Sequence, residues 1–349
     1  MTKPGRATLE TVAVAAGVSM ATVSKVLNDR HDVGPGTRLR VQRLLEEYDY
    51  APPRRSPGRT TPVRLPVELI FGALDSPYSV EILRGVTSGP LDVVVSSRPT
   101  ASELVAWSAG LTSQERCGAI LVTSELTPAV QDNLARARLP YVLIDPAGEL
   151  PDPSVATVGA TNWAGGVSAT RHLLELGHRR IAVIGGPEAM LCSRARIAGY
   201  SSELASWGVA LDPALVRHGS FHHRAGYDAA LALLDLPDPP TAIFAGSDEQ
   251  AFGVIEATRV TGRRIPEDLS VVGFDDLPVA RWFSPPLTTV RQPLADMGRT
   301  AAGILAEMLT ENEPFGRQVE LATKLVVRAS TAPLDGSPLV HGGAARAHG

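Results

Sequence analysis

The first fifty residues carry short apolar stripes at helical spacing, broken by turn-forming residues. Leu9, Val12, Ala13 and Ala16 mark one face of a first helix, which Thr8 can cap and Gly17 ends. Ser19 caps a second, with Val23, Val26 and Leu27 on its apolar face. After "NDRHDVG", Pro35 suits the first turn of a third helix carrying Leu39, Val41, Leu44, Leu45 and Tyr48. From residue 67 the pattern changes. Continuous β-branched runs such as "VELIFGAL", "DVVVSS", "GAILVTS", "YVLID", "VATVGA", "RIAVIGG", "TAIFAG" and "LSVVGFDD" alternate with amphipathic stretches such as "GGVSATRHLLELG" and "AGYDAALALLDL". Unbroken apolar strands are buried on both faces, so they belong in parallel sheets flanked by helices. Their number exceeds one compact sheet and predicts two α/β lobes dividing near Thr161.

Between these regions, "APPRRSPGRTTPVRLP" at 51–66 holds five prolines and four arginines and has no face to bury. It reads as a hinge linker. The predicted organisation is a helical headpiece at 7–50, the linker at 51–66, a two-lobed domain at 67–333 and a small, polar tail at 334–349 with a disordered composition.

Charge sharpens the division. Residues 1–64 hold 11 basic and 6 acidic side chains, net +5, whereas the remainder holds 22 basic and 31 acidic, net −9. A basic arm on an acidic body points the arm alone at a polyanion. The 349 residues contain two widely separated cysteines, Cys117 and Cys192, which fits a reducing cytoplasm and argues against a disulfide framework or zinc cluster. No apolar run approaches the ~18 residues that span a bilayer, and "MTKPGRATLE" lacks a signal-like hydrophobic region. Neither membrane insertion nor export is expected.

The break "AAGVS" offers two readings. It is either a corner in a small helical subdomain or the turn of a helix–turn–helix. The second needs small residues at the helix contact, a glycine in the turn and a polar cap, which Ala13, Gly17 and Ser19 supply. The following helix would present Met20, Ala21, Thr22, Ser24, Lys25 and Asn28 outward, short groups and one cation suited to phosphates and base edges.

"ATLETVAVAAGVSMATVSKVLND" followed by "TRLRVQRLLEEYDYAPP" closely resembles the headpiece of the lactose-repressor (LacI/GalR) family of bacterial transcription regulators. Downstream, "TRHLLELGHRRIAVIGG", "SRARIAGY" and "RIPEDLSVVGFDDLPVARWFSPPLTTVRQP" resemble that family's regulatory domain, so the resemblance covers roughly residues 7–333. It implies an all-α helix–turn–helix headpiece joined to a two-lobed α/β domain of the type I periplasmic-binding-protein kind. It also implies a homodimer, a small effector between the lobes, and a near-palindromic double-stranded operator as target. A repressor is the expected output.

Carried over by position, Met20 and Ala21 stand where such regulators discriminate bases, and Lys25 where a basic residue reads guanine. Thr8, Ser19, Thr22, Ser24, Asn28 and Thr37 join the DNA-contacting set. Thr11 replaces the family's usual Asp, and Gly34 its capping Ser. In the hinge, the family folds a short helix whose leucine wedges into the minor groove. Here Pro57 costs a helix about 3 kcal/mol and Gly58 about 1 more, and Arg59 occupies the wedge position. The leucine wedge is therefore not expected. Arg54, Arg55 and Arg59 can act as an extended minor-groove arm; a solvated linker and a shifted helix remain alternatives.

For the effector, the resemblance opposes Arg196 and Asp275 as a polar clamp, with Phe221 as a stacking face. Asp75, Ser76, Tyr78 and Asp145 face the same cleft from the first lobe, with Trp163, Asp248 and Gln292 as further candidates. Ser247 departs from the usual Asn. An aromatic with an Arg/Asp pair also suits a purine, so carbohydrate is the expected ligand chiefly through the family resemblance, and no cofactor is expected. The first-lobe helix stops near Val86, earlier than in the family, before Gly89-Pro90. The alternative is a solute-binding component of a sugar transporter, which shares the α/β body. No catalytic set assembles, because there is neither a G-x-S-x-G elbow nor a phosphate-binding glycine fingerprint, so an enzyme is not expected. His218, His222 and His223 read as a strand-to-helix loop rather than a metal site.

Overall fold

A computed structural model describes residues 9–27, 34–48, 66–111, 116–148, 152–311 and 316–334. The chain divides into two units, Met1–Val63 and Arg64–Gly349.

In the first unit, α1 (Leu9–Ala16), α2 (Met20–Leu27) and α3 (Pro35–Glu47) enclose Val12, Ala13, Ala16, Val23, Val26 and Val41. The corner at Gly17 closes α1 by two hydrogen bonds. Gly17 N–H donates to Val14 O at 3.2 Å and Val18 N–H to Ala13 O at 3.0 Å. Gly17 takes φ +63°, the left-handed conformation such a cap demands and glycine adopts without a Cβ penalty. The Ser19 hydroxyl then accepts from Thr22 N–H at 3.2 Å, capping α2. Two positions from the apolar pattern of α3 lie outside its core. Leu39 and Tyr48 are exposed, because the three-helix core is filled from the side of Val41, Leu44 and Leu45.

In the second unit, the first lobe runs β1 (Pro66–Phe71), α4 (Pro77–Thr87), β2 (Asp92–Ser97), α5 (Ala101–Ala109), β3 (Gly118–Val122), α6 (Pro128–Ala137), β4 (Tyr141–Ile144) and β5 (Ala156–Ala160). The second lobe runs α7 (Asn162–Glu175), β6 (Ile181–Gly185), α8 (Leu191–Ser206), β7 (Val216–His218), α9 (His223–Leu234), β8 (Ala242–Ala245), α10 (Asp248–Val260), β9 (Ser270–Asp275) and β10 (Thr288–Arg291). The chain returns through α11 (Leu294–Glu311) and β11 (Gln318–Leu321) to the first lobe, and ends in the second with β12 (Lys324–Val326). The lobes are therefore joined by three crossings, at Thr161, Gln292 and Thr323.

Each lobe carries a six-stranded sheet, ordered β11-β5-β4-β3-β1-β2 and β12-β10-β9-β8-β6-β7. Every pairing is parallel except β12 against β10, which puts one antiparallel edge on an otherwise parallel sheet. The first sheet buries Val67, Leu69 and Phe71 against Ile82, Val86, Met297 and Leu305 on one face. On the other, Ile70 and Leu121 meet Leu104, Trp107 and Leu134. The second sheet is covered likewise on both faces. Helix α4 ends at Thr87, one residue beyond the position read from the sequence. Among the described residues, no helix is long and apolar enough to cross a membrane.

Candidate functional site

The carboxyl ends of β1, β4, β6, β8 and β9 converge between the lobes, where open α/β sheets place their ligands. A cleft of about 360 Å³ lies there, lined from the first lobe by Asp75, Ser76, Tyr78 and Asp145 and from the second by Arg196, Phe221, Glu249 and Asp275. Gln292, on a crossing segment, completes it.

Arg196 projects from α8, which packs against α7 almost backbone to backbone. A Cβ at Gly166 would fall 2.2 Å from Arg196 O. That glycine brings Arg196 within reach of the cleft wall. Its Nε donates to Asn162 Oδ1 at 2.9 Å, its Nη1 to Gly246 O, and its guanidinium lies 3.8 Å from the Phe274 ring centroid. Phe221 stands 5.4 Å from the same guanidinium, packed over Gly186.

Asp275 ends β9 with φ +116° and Asp145 follows β4 with φ +46°, both unusual for residues bearing a Cβ. Strain of this kind is retained where surrounding structure fixes it. Here the fixing bonds are Gln292 Nε2 to Asp275 Oδ1 at 2.6 Å and Tyr78 Oη to Asp145 Oδ2 at 2.7 Å. Burial pushes the Asp275 carboxyl up to about 7 against the downward pull of Arg196 and Gln292. Burial also raises Asp145, despite the Tyr78 bond and Arg196, and raises the Tyr78 phenol. Cys192, in the same wall, is pushed up to about 12 by burial and is no thiolate at neutral pH.

Ser76 is the first residue to join the lobes. Its hydroxyl donates to Glu249 Oε1 across the cleft mouth, while His222 lies 3.3 Å from the other oxygen of Glu249. Away from it, Gly148 N–H donates to Ala189 O at 3.0 Å, and Arg194 Nη2 to Gly148 O at 3.2 Å. The cleft is closed.

Two expected residues do not line this cavity. Asp248 is fully buried behind it, accepting from Leu277 N–H at 2.7 Å and from the Thr289 hydroxyl. It therefore anchors the turn that follows Asp275 instead of facing a ligand. Trp163 is half exposed on the first turn of α7 and lines an adjoining groove of about 530 Å³, which shares Asp145 and Cys192 with the cleft and adds Arg194 and Glu320. Conversely, Glu249 lines the cleft without having been singled out from sequence. His222, read there only as part of a strand-to-helix loop, lines it too, and Asn162 holds Arg196 from outside it. Ser247 is committed to the fold, since its hydroxyl donates to Phe221 O at 2.6 Å and accepts from Gln250 N–H.

On the first unit, Met20 and Lys25 are exposed on α2, and Thr22 is half-buried with its hydroxyl 3.0 Å from that of Ser19. Ala21 and Ser24 belong to the same helix, and Thr37 to the first turn of α3. Thr8, Asn28, Arg54, Arg55 and Arg59 lie outside the described residues. Among those described, no group of three or more His, Cys, Asp or Glu is placed to hold a metal ion. His222 and His223 pair separately, with Glu249 and Glu256.

Residues 8–53 match the bacterial regulatory proteins of the lacI family, and residues 170–331 a periplasmic binding protein-like domain. The regulator CelR of Thermobifida fusca is 34% identical over 340 residues, covering 95% of this chain and all of that one. The chain belongs to the lacI family. The repressor CytR of Escherichia coli (strain K12) is 31% identical over 94% of this chain and 97% of its own length. The fold agrees with a CelR–cellobiose complex at a TM-score of 0.71, with 35% identity over 93% of this chain and 100% of that chain. A lac repressor dimer bound to operator and an anti-inducer gives 0.70, with 26% identity over 94% of this chain and 100% of that chain. This lacI-family chain is thus a DNA-binding transcriptional regulator, and the transporter alternative is set aside by the headpiece match.

Proposed function

We propose that this lacI-family regulator is a cytoplasmic homodimeric repressor that binds a near-palindromic operator and takes a carbohydrate effector between its lobes. The observation that carries the effector half is the convergence of Arg196, Asp275, Asp145 and Phe221 on one closed cleft. Carboxylates and a guanidinium pair with vicinal hydroxyls, while an aromatic face suits the apolar side of a sugar ring. CelR's complex with cellobiose makes a glucose disaccharide the first ligand to try. The effector is bound and released unchanged, and its preference for the closed arrangement shifts operator affinity by that difference alone.

The DNA half rests on the cap at Ser19 and the exposed face of α2. In this reading Met20, Ala21 and Lys25 address base edges, and Ser19, Thr22, Ser24 and Thr37 address phosphates, with Thr8 and Asn28 beside them. The headpiece spans 7–50, the hinge 51–66 and the effector domain 67–333. A second copy finds support in the edge strand β2, where Val94 and Val95 are exposed, and in α4, where Val80 is exposed.

The test is selection of sites from a random duplex library with full-length protein at two salt concentrations, with and without cellobiose. A palindrome that survives high salt and changes occupancy with cellobiose is expected. Recovery of only salt-sensitive, sequence-free binding in both conditions would reject the operator reading.

A further inference from the structure

Four carboxylates line the cleft: Asp75, Asp145, Glu249 and Asp275. Among the described lining residues, Arg196 is the one guanidinium and there is no lysine. Arg196 has already committed Nε and Nη1 to Asn162 and Gly246, leaving Nη2 as its free nitrogen. His222, the remaining basic group, is paired with Glu249.

The neutral groups lean the same way. Gln292 is 3% exposed, spends its Nε2 on Asp275, and leaves its Oε1 buried with no donor. The Tyr78 and Ser76 hydroxyls spend their protons on Asp145 and Glu249 and so offer none to a ligand. A buried acceptor without a donor is costly, so the Gln292 oxygen calls for a ligand N–H or O–H.

Resting on the effector reading above, we propose that the cleft selects a donor-rich, uncharged or cationic ligand and rejects anions. Neutral sugars and amino sugars fit; sugar phosphates and sugar acids do not. An anion entering this cleft meets surplus negative charge at low effective dielectric, which makes it on the order of 100-fold weaker than its neutral counterpart.

Two measurements on the full-length protein test this. The first is calorimetric titration at pH 7.5 of two matched pairs, cellobiose against cellobionate and glucose against glucose 6-phosphate. Binding of the neutral member with the anion on the order of 100-fold weaker supports the proposal. An anion that binds as tightly as its neutral partner overturns it, while leaving a carbohydrate effector intact.

The second needs no ligand. Unfolding midpoints of the α/β unit are compared for the parent and Asp275→Asn at pH 5 and pH 8. Asp275 is raised first by burial and then by Glu249 and Asp145, against the pull of Arg196 and the Gln292 bond and with buried Asp248 as a further acidic neighbour, so the surplus charge is felt only once it ionises. The difference, variant minus parent, should be more favourable to Asn at pH 8 than at pH 5, whatever the basal effect of the substitution. Burial alone gives that sign, so the share due to surplus charge is read in a Glu249→Gln background, where the pH-dependent part of the difference should shrink. A pH-dependent part that is absent, or unchanged by Glu249→Gln, overturns the proposal. If none of the four sugars binds but the pH-dependent part shrinks with Glu249→Gln, the carbohydrate reading falls and the surplus charge of the cleft stands.

Discussion

The Ser76 hydroxyl accepts from Tyr78 N–H at the head of α4 and donates to Glu249 at the head of α10. One oxygen thus caps a first-lobe helix and ties it to the second lobe. A part-buried hydrogen bond to a charged acceptor contributes about 1.5–3 kcal/mol. Together with the Arg194–Gly148 bond on the far side, it favours closure before any ligand arrives. The double variant Glu249→Ala/Arg194→Ala removes both ties and leaves the α4 cap intact. Small-angle scattering of the ligand-free protein should show a larger radius of gyration than the parent. An unchanged profile would mean that the crossings and the Gly148–Ala189 backbone bond are enough to hold the lobes together.

Arg196 is the positive charge that Asp145 and Asp275 both feel, and it lies buried between Asn162, Gly246 and Phe274. Arg196→Ala should destabilise the α/β unit by about 3–5 kcal/mol in urea, since it leaves buried carboxylates uncompensated. Arg196→Lys keeps the charge but not the planar fork or the stack on Phe274. It should recover part of the stability and none of the effector affinity. Equal binding by parent and Lys variant would show that the clamp needs charge alone.

These two sites also show where sequence reading succeeds and where it stops. Strands such as Gly118–Val122 and Ile181–Gly185 are buried at every position, and their unbroken apolar runs announce them. β7, β11 and β12 do not, because they are short edge strands whose exposed positions carry polar residues. Arg196 and Asp275 were legible through family motifs placed at strand and helix ends. The neighbouring pair Asp248-Glu249 was not. Both sit in the first turn of α10, and only the packing under Leu277 and Thr289 turns Asp248 inward and leaves Glu249 to the cleft. Trp163 fails as a cleft residue for a similar reason, since its place on α7 points it to the outer groove.

His172 supplies a pH dependence away from the cleft. Burial, with His178 nearby, lowers its imidazolium to about 4, and its Nε2 lies 2.9 Å from the Thr331 hydroxyl. The unfolded chain protonates near 6.5, before the folded one does, so stability is complete above that pH and drains away as pH falls toward 4. The loss amounts to about 3 kcal/mol from this group. Urea unfolding of the α/β unit from pH 7.5 to 4.5 should steepen below 6.5, and His172→Gln should flatten that slope. A slope unaffected by the substitution would assign the acid sensitivity to other groups.

Lys25 and the linker arginines separate base reading from charge. Lys25 is exposed on α2. If it reads a base edge, Lys25→Ala should cost about 1–3 kcal/mol on the selected operator and relax preference at one base pair in each half-site. The triple variant Arg54→Ala/Arg55→Ala/Arg59→Ala should act differently. As an extended arm in the minor groove, these side chains displace counterions, so the slope of log affinity against log salt should fall by about one unit or more, with the half-site sequence unchanged. An unaltered slope would leave 51–66 as a linker only. A lost half-site preference would instead favour a shifted hinge helix, because then the arginines would be holding the two headpieces in register on the palindrome.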